Sequence, residues 1–112
     1  MSAPNLNRKL TLEAPQQVPD GAGGFQETWM PLGIIWAAVE ARTGRETAGN
    51  LLTISTVSYR IIVRAAPQGA PSRPMPDQRF VDGSRVFRIQ AVADRDPDGR
   101  FLTCFASEEV PV

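Results

Sequence analysis

The chain lacks most of the residues on which enzymes depend. Its 112 residues contain no histidine and a single cysteine, Cys104. The first absence excludes His-based acid–base chemistry and Ser-His-Asp triads, and a lone cysteine excludes a disulfide scaffold and the usual zinc sites. Without a histidine to activate it, Cys104 is predicted to be a small core residue in an apolar strand. We therefore predict a protein that is not an enzyme and that uses no metal or cofactor.

Net charge and long apolar runs are missing too. The 12 basic and 12 acidic residues cancel, which disfavours bulk electrostatic attraction to nucleic acid or anionic lipid. The longest apolar run, residues 34–39, is far shorter than the roughly 20 residues that cross a bilayer. The N-terminal residues also lack the pattern of a signal peptide. We expect no membrane partner, and synthesis in the cytoplasm.

What the chain does contain is a series of short apolar runs separated by 10 prolines and 9 glycines. Period-2 alternation and β-branched residues favour strands in these runs, and no segment keeps a helical period. We predict strands over 8–13, 25–29, 33–42, 51–64, 86–93 and 101–106, and loops over 15–24, 43–50, 65–77 and 94–99. A short helix within 43–52 stays open. Five or six short strands predict one all-β domain over residues 1–112, a small antiparallel barrel or sandwich.

The alternation also divides each strand into two faces. One face of the 51–64 strand carries Val57, Tyr59, Ile61 and Val63, and the inner face of the 86–93 strand carries Phe87, Ile89 and Ala91. Arg60, Arg64 and Arg88 then point outward from strands that we take as neighbours. They are either ordinary solvated arginines or a surface for phosphate or carboxylate groups. Trp36 lies on the more polar face of its strand, as an interface anchor or as part of a second core layer.

Two loops superficially resemble ligand sites. Residues 21–24 are glycine-rich, but they precede a strand, so a hairpin loop is favoured over a phosphate cradle. Asp94, Asp96 and Asp98 alternate before Gly99 without the glutamate that ends a calcium loop. We interpret this segment as a solvated hairpin tip.

Several segments in order resemble a known family. They are Trp29, residues 35–39 (Ile-Trp-Ala-Ala-Val), 44–46 (Gly-Arg-Glu), 59–64 (Tyr-Arg-Ile-Ile-Val-Arg), Arg79 and 87–92 (Phe-Arg-Ile-Gln-Ala-Val). Together they are similar to the head–tail joining proteins of tailed bacteriophages, of the head-closure (stopper) or adaptor type, including those of gene transfer agents. The resemblance runs from Leu6 to Glu109.

The resemblance implies a small β-barrel with long loops that serves as a virion structural protein at the head–tail interface of a phage or phage-like particle. It implies a ring of six or twelve copies below the portal or its adaptor, which closes the DNA exit channel after packaging and docks the tail. The implied partners are further copies of the chain, the portal-adaptor ring protein, a tail terminator or tail tube protein, and packaged double-stranded DNA in the lumen. Synthesis in a bacterial cytoplasm follows.

The resemblance also assigns roles to loops. It places the loop from Thr43 to Thr56 toward the channel, with Thr43, Gly44, Arg45, Glu46, Gly49 and Asn50 as candidate residues. Segments 65–78 and 94–100 are expected to contact adaptor or tail. The candidate interface residues are Trp36, Arg60, Arg64 and Arg88. The alternative function is a small-barrel nucleic-acid-binding module that uses the three arginines, although Tyr59 and Phe87 are predicted on the opposite face.

Overall fold

The structure, a computed structural model, describes residues 3–42 and 54–111 and contains six strands. They are β1 (Arg8–Pro19), β2 (Phe25–Ala41), β3 (Ile54–Arg64), β4 (Arg79–Asp82), β5 (Arg85–Asp94) and β6 (Phe101–Pro111). The described residues form no helix, so they include none with the length and apolar character to cross a membrane. The prediction of an all-β fold is confirmed.

The six strands form one antiparallel sheet that closes on itself in the order β1-β2-β3-β6-β5-β4. The closing contact is between β1 and β4, where Thr11 pairs with Val81 and Leu12 with Phe80. Closure decides between the barrel and the sandwich that the strand pattern left open, and we call this closed sheet the barrel. Closure gives the first and last strands of the sheet a partner along this stretch, so they are not free edges there.

The core fills the barrel interior with the inward faces of all six strands. Its largest members are fully buried: Leu10, Leu12, Ile61, Val63, Phe80, Phe87, Ile89, Leu102 and Cys104. Cys104 is confirmed as a core residue, and the predicted inward face of β3 is also confirmed at Ile61 and Val63. A second, smaller cluster lies outside the barrel, where Ala38, Ile62 and Phe101 pack beneath Leu6.

The first two strands are longer than we predicted. We expected a loop over 15–24 and a strand end at Pro31, but β1 continues to Pro19 and β2 runs through Pro31. Their hairpin pairs Pro15 with Trp29 and Pro19 with Phe25, and the register shifts between Leu12 and Glu13. Proline is tolerated at sheet edges and bulges because no ladder hydrogen bond needs its missing N–H there. The predicted hairpin turn itself is confined to residues 20–24.

Two details of the second half also differ from the prediction. Ala91, which we expected inward, is exposed, and Val92 packs against the core instead. A register shift between Ile89 and Ala91 inserts one residue and reverses the alternation at this point. The short strand β4 was not predicted. The proline-rich segment 65–78 contains no strand, as we expected, and residues 95–100 join β5 to β6.

The barrel has two distinct ends. Segment 65–78 and the 95–100 turn lie at one end, to which the outer parts of β1 and β2 also run. At the other end, β2 finishes at Ala41, β3 begins at Ile54, and the turn at 83–84 joins β4 to β5. The predicted channel residues Thr43, Gly44, Arg45, Glu46, Gly49 and Asn50 lie outside the described residues.

Candidate assembly surfaces

The hairpin of β1 and β2 projects from the barrel as an arm, which we define as residues 13–31. β4 pairs with β1 only at residues 11–13, and β3 pairs with β2 only from Ala37 onward, so neither flanks the arm beyond its first residue, Glu13. From Glu13 to Pro19 the arm extends about 20 Å at 3.3 Å per residue. It contributes to the elongated shape of the molecule, which measures 53 × 39 × 23 Å.

The tip of the arm is held by Asp20. Its Oδ1 accepts hydrogen bonds from the amides of Ala22 at 2.8 Å and Gly24 at 3.1 Å. These bonds, that of Ala22 first, lower the pKa of Asp20. Gly21 and Gly23 adopt φ values of 83° and 87°, which only glycine adopts readily. The tip is a defined turn, which supports our interpretation of these glycines as part of a hairpin loop.

The base of the arm is fastened to the barrel by four residues that we call the base clamp: Glu13, Trp29, Arg79 and Arg88. The guanidinium carbon of Arg79 lies 4.0 Å from the ring centroid of Trp29, and that of Arg88 lies 5.4 Å from it. Arg79 Nε also donates to Glu13 Oε1 at 2.7 Å. Cation–π stacking and an ion pair thereby tie β1, β2, β4 and β5 together.

Large apolar side chains are exposed along β2. Phe25 is 68% exposed, Ile34 61% and Trp36 53%, while Val18 and Met30 on the arm are also exposed. Apolar surface this concentrated on a small domain usually marks a contact with another molecule. The two ends of β2 differ, because Phe25 is at the tip of a protrusion whereas Ile34 and Trp36 lie beside the barrel.

Ile34 and Trp36 line a groove of about 500 Å³ that we call the β2 groove. Its lining residues are Leu6, Ile34, Ile35, Trp36, Arg64, Ala65, Ala66 and Ser72. Ala37 pairs with Val63, so Trp36 and Arg64 occupy the next positions along β2 and β3. Lys9, exposed on β1, pairs with Trp36 from the other side. The groove therefore combines apolar side chains with Arg64, and Lys9 lies beside Trp36.

The four predicted interface residues are all exposed, but they do not form one surface. Trp36 and Arg64 share the β2 groove, and Arg60 lies further along β3. Arg88 belongs to the base clamp on β5, and β6 separates β5 from β3. We took these two strands as neighbours, and that was wrong, because β6 returns between them. Arg60 and Arg64 are therefore separated from Arg88 by the outer face of β6, and the nucleic-acid-binding alternative lacks the adjacent arginine strands on which it was based.

Sequence reasoning missed a polar cluster near the end of the barrel where the turn at 83–84 joins β4 to β5. Arg85 donates from Nε to Glu108 Oε2 at 2.8 Å and from Nη2 to Oε1 at 3.0 Å. The Tyr59 hydroxyl donates to Glu108 Oε1 at 3.1 Å and accepts from Arg85 Nη2 at 3.0 Å. Glu108 is buried. The sequence feature that could have indicated this cluster is Glu108, an acidic residue at an inward position of the apolar strand β6.

Hydrogen bonding controls the charge state of this cluster. The bonds from Arg85 lower the pKa of Glu108, and the same pairing raises the pKa of Arg85. Burial, followed by the bond to Glu108, raises the pKa of Tyr59. The Tyr59 ring packs edge-on against Phe87 with centroids 5.1 Å apart. A charged pair and a neutral phenol therefore form a stable structural unit at neutral pH.

The described residues offer no grouping that resembles a catalytic centre. Among residues 3–42 and 54–111, no three carboxylate or cysteine side chains come together as a metal site. Burial raises the pKa of Cys104 to about 12, which keeps the thiol protonated and unreactive. Asp96 Oδ1 accepts the amide of Arg100 at 3.1 Å, and both residues are in the turn between β5 and β6. This geometry supports the prediction of a hairpin tip.

Comparison with known proteins gives three findings. A family model described as phage head completion protein matches residues 1–109. A chain from the virion of a native gene transfer agent particle is 52% identical, with a TM-score of 0.85 over 98% of this chain and 100% of that chain. A protein from Shigella flexneri 2a, solved in solution, is 22% identical with a TM-score of 0.67 over 96% of each chain, and so supports the fold alone. The comparison with curated proteins gives no match.

Proposed function

This chain belongs to the phage head completion protein family, and we propose that it is a subunit of the head–tail connector in a phage or phage-like particle. In this role it forms a ring below the portal or its adaptor, closes the DNA exit channel after packaging and docks the tail. The observation that carries the proposal is the 52% identity, over nearly the whole chain, to a chain of a gene transfer agent virion. A non-enzymatic, structural role follows from the same relationship.

The surfaces of the molecule support assembly into a ring. A ring of identical subunits uses heterologous contacts, so each subunit needs two different and complementary surfaces. The arm is a protrusion with an exposed aromatic residue at its tip, and the β2 groove is a concave surface at another place on the same domain. A compact barrel with only scattered apolar exposure would offer no such pair.

The charge balance supports a position around DNA. The chain carries 12 basic and 12 acidic residues, and a neutral lumen lets the duplex pass without the grip that a basic lining exerts on phosphates. We retain the loop residues 43–50 as the proposed channel-facing segment, next to the end of the barrel where β2 finishes. Segments 65–78 and 94–100 occupy the opposite end, and we propose them as the contacts with the neighbouring rings.

Electron microscopy of particles tests the proposal directly. Particles from a strain that lacks this gene are compared by negative staining with particles from the complemented strain. We expect separate tails together with heads that have lost their DNA, and normal tailed particles after complementation. Normal tailed, DNA-filled particles in the deletion strain would refute the connector role.

A further inference from the structure

We propose that the arm of one subunit docks, tip first, into the β2 groove of a second copy of this chain. The inference rests on the proposed function and deepens it, because it names the two surfaces that join neighbours in the ring. The contact places the Phe25 side chain against Ile34 and Trp36 of the neighbouring copy. Glu27 on the same arm then faces the neighbour's Arg64.

The apolar parts of the two surfaces fit each other. Among the large apolar side chains that the structure describes, Phe25 is the most exposed at 68%, and Ile34 at 61% and Trp36 at 53% are also more than half exposed. Each of the three would remain in water in an isolated subunit, and the arm–groove contact buries them together. Buried aromatic anchors of this kind commonly carry most of the binding energy of an interface.

The charges of the two surfaces are also complementary. The arm, residues 13–31, contains three acidic residues and no lysine or arginine. Glu13 is paired with Arg79 and Asp20 caps the tip, so Glu27, which is exposed, is the acid presented outward. Exposed Arg64, which lines the groove, and exposed Lys9 on β1 lie on either side of Trp36. Opposite charges steer the arm into the groove and fix its register.

The spacing of the two patterns matches as well. Phe25 and Glu27 are two residues apart on one strand and therefore point to the same face, about 7 Å from each other. Trp36 and Arg64 occupy adjacent positions on paired strands, about 5 Å apart. The distance from Phe25 to Glu27 on the arm is therefore similar to the distance from Trp36 to Arg64 in the groove, so both contacts can form at once.

The arm cannot occupy the groove of its own subunit. Phe25 precedes Ile34 by nine residues of the same extended strand, which separates them by about 30 Å. The base clamp holds Trp29 against two neighbouring arginines of the barrel and opposes folding back of the arm. When only one arm of a pair is docked, one arm and one groove stay free, and the contact repeats into a ring if the rotation between subunits closes.

Cysteine cross-linking in assembled particles tests the contact. The double variant Glu27→Cys with Arg64→Cys, which keeps the aromatic side chains of the contact, is produced in the native host, and purified particles are treated with a short bis-maleimide. We expect a ladder of multiples of this chain on a denaturing gel. Each single variant should give no ladder, and the buried thiol of Cys104 should not contribute. The pair Glu27→Cys with Gln90→Cys, which places the second thiol at an exposed position on β5, serves as the matched control.

The outcomes separate this inference from the connector role. Tailed, DNA-filled particles of the double variant without a ladder would overturn the arm–groove contact and leave the connector role intact. Cross-links only to a different particle protein would also overturn it, because the arm would then serve another ring. A deletion strain with normal particles, in contrast, would remove the proposed function itself.

Charge reversal provides a second test that does not depend on cross-linking. Glu27→Arg and Arg64→Glu should each lower the yield of DNA-filled tailed particles at least about tenfold, as expected for like charges in an interface. Because both side chains are exposed, neither change should unfold the subunit. The double variant should restore the yield. Arg60→Glu, an exposed position on the same strand as Arg64, is the control, and equal losses without rescue would overturn the proposal.

Discussion

At the scale of single residues, the polar cluster of Tyr59, Arg85 and Glu108 is the feature with the clearest energetic consequence. Both oxygens of the buried carboxylate receive charged hydrogen bonds from one guanidinium. Arg85→Met should lower the free energy of unfolding by about 1–3 kcal/mol, because it leaves that carboxylate with the Tyr59 hydroxyl alone. Urea denaturation measures the change. Arg100→Met is the matched control, since Arg100 is 67% exposed in its ion pair with Asp96 and should change stability by less than about 0.5 kcal/mol.

The same cluster predicts a dependence of stability on pH. The pKa of Glu108 is lowered in the folded protein by Arg85, so the unfolded chain binds a proton on this residue more readily. Protonation therefore favours unfolding, and stability should decrease as pH falls below the ordinary glutamate pKa and through the lowered folded-state pKa. Glu108→Gln should flatten this part of the curve of unfolding free energy against pH. An acid branch of equal slope in the variant would contradict the assignment.

At the scale of elements, the arm shows how a two-stranded ribbon is protected outside a sheet. Pro15, Pro19 and Pro31 lie along its strands, where each proline removes one N–H from an edge that could pair with another chain. The ribbon therefore depends on its base clamp rather than on further strands. The apolar side chains at its tip are available for a specific contact while the backbone edges resist non-specific pairing.

The base clamp can be tested by removing its aromatic ring. Trp29→Ala should increase amide hydrogen exchange over residues 14–19 and 25–30, because stacking on Arg79 and Arg88 is worth about 0.5–2 kcal/mol per contact. Protection in β3 should stay unchanged, since β3 pairs only with β6 and with β2 from Ala37 onward, away from the clamp residues. Phe25→Ala, on the same arm but 68% exposed, should leave exchange as it is. Unchanged exchange in Trp29→Ala would show that the arm is held in another way.

At the scale of the whole molecule, the exposed arginines are separated around the barrel and balanced by acids. The total charge is zero, and Arg88, Arg79 and Arg85 are engaged with aromatic or acidic partners. The isolated chain should therefore show no salt-dependent shift with single-stranded or duplex DNA in a mobility assay. Binding that weakens steeply between 50 and 200 mM salt would favour the nucleic-acid-binding alternative over a neutral connector subunit.

The sequence predicted most of the strands but not their extents or neighbours. Alternation in 57–63 identified the core face of β3, because half-buried strands leave a local period-2 pattern. The arm was missed because glycines and prolines favour turns locally, whereas pairing between Pro15 and Trp29 or Pro19 and Phe25 depends on the partner strand. Ala91 was misplaced because the residue types in 86–93 do not reveal the bulge, which reverses the direction of the side chains after Ile89.

By itself, the sequence determined the all-β class, the absence of histidine chemistry and the resemblance to a phage family, since each depends on residue types and their order. Only the tertiary structure decided that β6 separates β5 from β3, and that Trp36 and Arg64 share one groove while Arg88 belongs to another cluster. Strand order and barrel closure are set by contacts between residues far apart in the chain. Local patterns carry the inward or outward direction of a side chain, but they do not specify which strand lies beside it.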